Sequence, residues 1–466
     1  MGRDFRLEVR GRNYVTVQIK YAMSQTQILG SNAEEIAASV ERAVEAGALA
    51  SGARLPTIRA LAGTLKVSPV TVAAAYRALQ SRGLVEGSGR RGTLVRQPLH
   101  HPPALTHTRA AAVREADGLI DLATGNPDPD LLPPIGPHLH GLSHTTHLYG
   151  DPLAFRPLVA FAASEFEVDG IPAGHVVIAS GSLDAIERVL REHVRPGGRV
   201  VVEDPTLPSL LALIASLGLT SHPAAIDDEG PQPEALERAL RGPAGAVILS
   251  PRAQNPTGAA ITSRRASDLA RILHRHPRTL LVEIDSAGPV SGAPAVTLID
   301  PARQHWAVVR STSKFLGPDL RVAAIACDAL TAGRVLRRQA LGVRWVSHLL
   351  QALTLSLWSD PSSGRRLARA ADVYRQRRVS FIDALALHGI RSQGRSGLHV
   401  WVPVREESAT VSGLAARGWS VAAGERFRLR SAPAIRITTS ALAPDEGQRL
   451  AADLAAVLHP SAVTSA

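Results

Sequence analysis

Five short runs of apolar residues alternate with stretches of helical apolar spacing, and this alternation constrains the chain more than any other feature. The runs are VVIAS from 176, RVVVED from 199, GAVILS from 245, TLLVEID from 279 and HWAVVRSTS from 305. A continuous Val/Ile/Leu run has no polar face, so each strand must be covered on both sides. The intervening helices supply that cover and carry parallel crossovers. The expected body, residues 118–462, is therefore α/β, with a mostly parallel sheet between helical layers. Ligand groups in such sheets gather beyond the strand C-terminal ends.

Each short motif falls at one of those ends. AlaSerGlySerLeuAsp (179–184) follows a run and opens a helix, an arrangement that offers free backbone N–H groups to a phosphate. ProArgAlaGlnAsnProThrGly (251–258), LeuValGluIleAspSer (281–286) and SerThrSerLysPheLeuGlyProAspLeuArg (311–321) follow in turn. Lysine is scarce: Lys20, Lys66 and Lys314 are the only three in 466 residues, so a reaction that needs an amine in the body has one candidate.

A 466-residue chain exceeds one such core, and charge marks where the remainder differs. Residues 1–96 hold 14 Lys and Arg against 7 Asp and Glu, so +7 of the net +11 lies in the first fifth. That concentration suits contact with nucleic acid. Residues 33–96 read as three helices and a hairpin. Ile36, Val40, Val44 and Leu49 face inward first. A second helix opened by Pro56 carries Ile58, Leu61, Ala62 and Leu65, and a third, capped by Ser68, carries Val72, Ala75, Tyr76 and Leu79. A cationic turn, GlySerGlyArgArgGly (87–92), separates two hairpin strands.

Residues 97–117, rich in Pro and His, read as a linker, and residues 1–32 as a disordered extension in which Met23 is an alternative start. The charged N-terminus has no signal-peptide pattern, no apolar run approaches membrane-spanning length, and the single Cys327 excludes an internal disulfide, so the expected location is cytoplasmic. His138, His140, His144 and His147 read as loop residues without the Cys or carboxylate partners of a metal site, and no metal is expected.

The string GALASGARLPTIRALAGTLKVSPVTVAAAYRALQSRGLVEGSGRRGTLV resembles the GntR-type winged helix-turn-helix. The resemblance implies DNA contacts from Arg59, Ser68, Thr71, Gly89 and Arg90. Pro69 departs from it, because many relatives carry arginine there. The ordered set SGS, NPTG, Asp, SxSK, Arg resembles fold type I aminotransferases, which bind pyridoxal 5'-phosphate (PLP). Together the two halves resemble the MocR branch of GntR-type regulators, a resemblance extended by LATGNPDPDLLP, YGDP, VRPGGRVVVEDPT, GLHVWVP and AIRITTSAL.

The resemblance implies a Schiff base between Lys314 and PLP. It implies phosphate contacts from Ser313, Arg321 and the backbone at Gly181 and Ser182, a cofactor contact from Ser311, an Asp285 pair with the pyridine nitrogen, and an Asn255 hydrogen bond to the ring oxygen. Arg436 would grip the carboxylate of an amino-acid-like ligand, and Tyr149 would reach a partner subunit's cofactor phosphate in a homodimer. Ile284 and Ser286 depart from the family's acidic and aromatic residues, and Leu207 stands where an aromatic commonly follows DPT. A PLP-responsive DNA-binding regulator is the expected function. A working aminotransferase with an appended DNA-binding domain, and a regulator with a vestigial, cofactor-free body, are the alternatives.

Overall fold

The computed structural model describes residues 28–50, 52–81, 84–87, 92–95, 118–142 and 146–459. The chain divides into two compact units between His101 and Pro102. The stretch read as a linker, 97–117, lies outside the described residues.

In the first unit, α1 (Ala33–Glu45), α2 (Ile58–Leu65) and α3 (Pro69–Ser81) pack with the antiparallel hairpin β1 (Val85–Gly87) and β2 (Thr93–Val95). Ile36, Val40, Val44, Leu49, Leu61, Ala62, Val72, Ala75, Tyr76 and Leu79 share one core, as their helical spacing requires. Two expectations need correction. The second helix begins at Ile58, capped by Thr57 Oγ1 accepting from the Ala60 N–H, and not at Pro56; Ile58 therefore sits on the first turn and is 36% exposed. Pro56 instead offers its carbonyl to the Tyr76 hydroxyl at 2.8 Å, which ties α3 to the entry of α2. Nor does order begin at 33. Ile28 is buried in the core, the Leu29 N–H donates to Ser39 Oγ, and Asn32 caps α1, because an apolar residue there fills the end of the bundle.

In the second unit the strands are, in chain order, β3 (Ile120–Asp121), β4 (Val176–Ala179), β5 (Arg199–Asp204), β6 (Thr220–Asp227), β7 (Gly230–Pro231), β8 (Ala246–Leu249), β9 (Leu280–Asp285), β10 (Trp306–Ser311), β11 (Ala323–Cys327), β12 (His399–Pro403), β13 (Trp419–Ser420), β14 (Ala422–Ala423) and β15 (Ala434–Thr438). Eight of them form one sheet in the order β4-β11-β10-β9-β8-β5-β6-β7. The pairs from β10 through β9, β8 and β5 to β6 are parallel, whereas β11 runs antiparallel to both β4 and β10. A separate three-stranded sheet, β12-β15-β14, packs with the helices Pro361–Leu387 and Pro444–Leu458 through a core that includes Phe381, Val400, Ile435 and Leu450.

Side chains of a strand alternate between faces. Ile178, Val201, Val247, Leu281 and Val308 enter one core, and Val177, Val200, Ile248, Val282, Ile284 and Val309 enter the other. Cys327 packs in the second core as a small apolar side chain. This alternation decides which strand-end residues meet a ligand.

Candidate functional site

A cavity opens beyond the C-terminal ends of β4, β5, β8, β9 and β10, on the face of the sheet that carries Ile284. It is lined by Gly125, Ser182, Thr206, Leu207, Ser250, Asn255, Ile284, Ser286, Ser311, Ser313, Lys314, Arg321, His399, Arg426, Phe427 and Arg436, among others. Most of these lie far apart in sequence. Arg321 precedes β11, and because β11 runs against its neighbours its start lies at the same edge as the other strands' ends.

Gly181 joins β4 to the helix Ser182–His193 with φ 93°, a conformation that glycine adopts without strain. The Ser180 N–H is held by Asp184 Oδ2 at 2.8 Å, and Arg321 Nη2 donates to the Ser180 carbonyl at 3.3 Å. A Cβ on Gly181 would stand 2.6 Å from Arg321 Nη2, so the glycine is what admits the guanidinium. Ser311 Oγ accepts from the Ser313 N–H and donates to Ser313 Oγ at 3.1 Å. A helix N-terminus, an arginine and paired hydroxyls thus converge as donors for an anion.

Lys314 is half-buried, and its Nζ donates to the Gly125 carbonyl at 2.6 Å. Desolvation, reinforced by the charge of Arg436, brings its amine down to about 8. Arg436 is buried on β15. Its Nη1 donates to Asn255 Oδ1 at 3.1 Å, Nη2 donates to the Ala123 carbonyl, its guanidinium lies 4.8 Å from the Phe427 ring centroid, and Nε has no hydrogen-bond partner. Burial and the neighbouring Arg426 lower its pKa to about 9. His399, buried beside both, is held neutral by desolvation first and by Arg436 and Lys314 second. A Cβ on Gly125 would meet His399 at 3.1 Å and Arg436 at 3.2 Å, so close approach requires glycine there too.

Asp285 is not part of this cavity. Ile284 and Ser286 line it, and Asp285, one residue out of phase, points to the other face of the sheet. There its Oδ1 accepts from Arg252 Nε at 3.0 Å and the Gly288 N–H at 3.1 Å, and its Oδ2 accepts from Arg252 Nη2 and Arg310 Nε, both at 2.8 Å. Burial alone would raise this carboxyl, but Arg310 and Arg252 outweigh it and hold it at about 2. Asp169 bridges the same two arginines, and Arg310 stacks 4.6 Å from the Phe166 centroid. The physical reason for the misplacement is pleat parity: in LeuValGluIleAspSer, Ile284 shares the face of Val282, and Asp285 that of Glu283. The register with β10 sets Ile284 beside Val309, on the face of Ser311, and Asp285 beside Arg310. Asn255, by contrast, lines the cavity, where its Oδ1 accepts from Arg436 Nη1.

Tyr149 is 81% exposed and does not line this cavity; Arg344 stacks on its ring at 5.1 Å and Trp345 meets it edge-on at 5.7 Å. His138 and His140 lie on a short helix, Ile135–His140, and not in a loop, where they bond Ser356 and the Gly136 carbonyl; His147 stacks on His348 at 3.9 Å, and His144 lies outside the described residues. Thr206, His399 and Phe427 were not singled out from sequence, although the DPT and GLHVWVP strings contain the first two.

In the first unit, Ser68 Oγ accepts from the Thr71 N–H at 3.0 Å and pairs with Thr71 Oγ1 at 2.8 Å, which starts α3 with Pro69 at its first position. Arg59 on α2 is exposed, as are Pro69, Val70 (72%) and Arg77 on α3, so the outer start of α3 is apolar. Gly89 and Arg90 lie outside the described residues.

Comparison with known proteins sorts these features. The model of the aminotransferase class I and II family matches residues 117–454, and that of the bacterial regulatory proteins of the gntR family matches residues 32–95. The vitamin B6 salvage pathway transcriptional repressor PtsJ of Salmonella typhimurium is 41% identical over 437 residues, 92% of this chain and 99% of that protein. The HTH-type transcriptional regulator TauR of Rhodobacter capsulatus is 25% identical over 79% of this chain and 82% of its own length. Among solved structures, Pyrococcus horikoshii kynurenine aminotransferase superposes with a TM-score of 0.69 at 21% identity, covering 76% of this chain and 94% of that one; at that identity the likeness is one of fold. No helix among the described residues is long and apolar enough to cross a membrane.

Proposed function

The chain belongs to the aminotransferase class I and II family with a GntR-type winged helix-turn-helix in front, the MocR architecture, and from that premise we propose that it is a transcriptional regulator that binds DNA through the first unit and PLP at Lys314 through the second. The observation that carries the reading is Lys314: the body's one lysine has its amine brought down to about 8 at the end of a cavity whose other charged walls are arginines. An amine must be unprotonated to attack an aldehyde, and PLP, when bound, supplies that aldehyde and an anionic phosphate. Gly181, Ser182, Ser311, Ser313 and Arg321 would hold the phosphate. The tight fit of Gly181 against Arg321 and the unpartnered Nε of Arg436 match a site that receives anionic groups at both ends. Arg436 would orient a carboxylate-bearing ligand.

PLP is the coenzyme form of vitamin B6, and the Salmonella relative is named for vitamin B6 salvage, so the regulated process would be vitamin B6 supply. PLP would act by binding one conformation of a homodimer more tightly than another, with DNA affinity following. The test has two arms. Titration of the purified protein with PLP should give a saturable visible band distinct from free PLP and absent in Lys314→Ala. Binding to DNA from upstream of its own vitamin B6 salvage genes should change with PLP in the wild type and not in Lys314→Ala. A band without any effect on DNA binding would remove the regulatory role, and no band would remove the cofactor.

A further inference from the structure

Among the described residues that line the cavity, not one is an aspartate or a glutamate. The charged residues are Lys314, Arg321, Arg426 and Arg436. The acid at the end of β9, Asp285, faces the opposite side of the sheet with all its acceptor positions taken by Arg252, Arg310 and the Gly288 N–H. Turning it into the cavity would leave two arginines that are 7% and 2% exposed without their shared carboxylate, at a cost no rotamer change recovers. In its place at the wall stands Ile284, 8% exposed and packed in the core of that face, beside the Ser286 hydroxyl.

We propose that this chain holds PLP with the pyridine nitrogen unprotonated, so that the site retains and reports the cofactor without drawing electrons through its ring. The inference rests on the PLP-binding reading above and deepens it. None of the described residues that line the cavity offers a carboxylate to the ring nitrogen. A ring nitrogen carries a proton in a desolvated site when an anion faces it, and surrounding cations drive the proton off. The cationic ring withdraws charge from a bound amino acid most strongly, and a carboxylate at that nitrogen is what keeps the proton on. Here Ile284 removes that partner and Ser286 leaves only a neutral donor. An amino-acid-like ligand could then be oriented by Arg436 without its α-proton becoming labile.

The experiment loads the full-length wild-type protein with PLP labelled with ¹⁵N at the ring nitrogen and records its ¹⁵N chemical shift, which separates pyridine from pyridinium. The expected shift is that of a neutral pyridine, and Ile284→Asp, which places a carboxylate on the cavity wall, should move it to the pyridinium range and shift the visible band of the bound cofactor. A pyridinium shift in the wild type overturns this proposal while leaving PLP binding intact. A protein that yields only the signal of free PLP overturns the binding reading and this one with it. The wild-type spectrum decides even if Ile284→Asp does not fold.

Discussion

The two faces of one sheet edge carry opposite electrostatics. Behind the ends of β9 and β10, Arg252 and Arg310 are matched by Asp285 and Asp169, and the Asp285 oxygens and the two guanidiniums interlock. In front, Lys314 after β10, Arg321 before β11 and Arg436 on β15 donate to the Gly125 and Ser180 carbonyls and the Asn255 amide oxygen, and no acid lines the cavity among the described residues. Buried charge paired in this way is structure; a cationic cavity with no acid in its wall suits an anion.

The contrast is broken most severely through the rear cluster. Asp285→Ala should lose about 3–5 kcal/mol in chemical denaturation, because it strands two buried arginines. Lys314→Ala, which removes an uncompensated cation, should stay within about 1 kcal/mol of wild type. Equal losses would erase the distinction between the faces. Next in size is Gly181→Ala, which brings a methyl against Arg321 and forces a φ of 93° on alanine. Affinity for PLP by spectroscopic titration should fall by about tenfold, the worth of one anion-binding contact. Smallest is the pH effect in front. With the Lys314 amine at about 8, its reactive neutral fraction grows as pH rises toward that value, so the PLP association rate by stopped flow should rise about fivefold from about pH 7 to about pH 8. The rear carboxyl has the opposite window. Its folded pKa lies below the unfolded value, so its contribution to stability is present above about pH 4 and lost as pH falls through about 2.

Much of this was legible from sequence because it is local. The apolar runs from 176, 199, 245, 279 and 305 are strands, and the turn motifs stand at their C-terminal ends. Helical spacing placed Ile36, Val40, Leu61, Val72 and Leu79 in the first unit's core. What failed shows where locality ends. Asp285 was assigned to the ligand by its type, yet a displacement of one residue in a strand changes its face. Ile58 was assigned inward on a helix that starts two residues later than Pro56 implies.

The sequence by itself determined the order of strands and helices, the scarcity of lysine that leaves Lys314 as the body's amine, and the glycine at 181, because each depends on residue type and near neighbours. Only the tertiary structure decided that Arg321 returns to the ligand edge through the antiparallel β11, that Gly125, His399, Phe427 and Arg436 close the cavity from distant segments, and that Asp285 serves two arginines behind the sheet. Those outcomes depend on strand direction, register and the pairing of buried charges, which are set when residues from 25 to 313 positions apart are packed together.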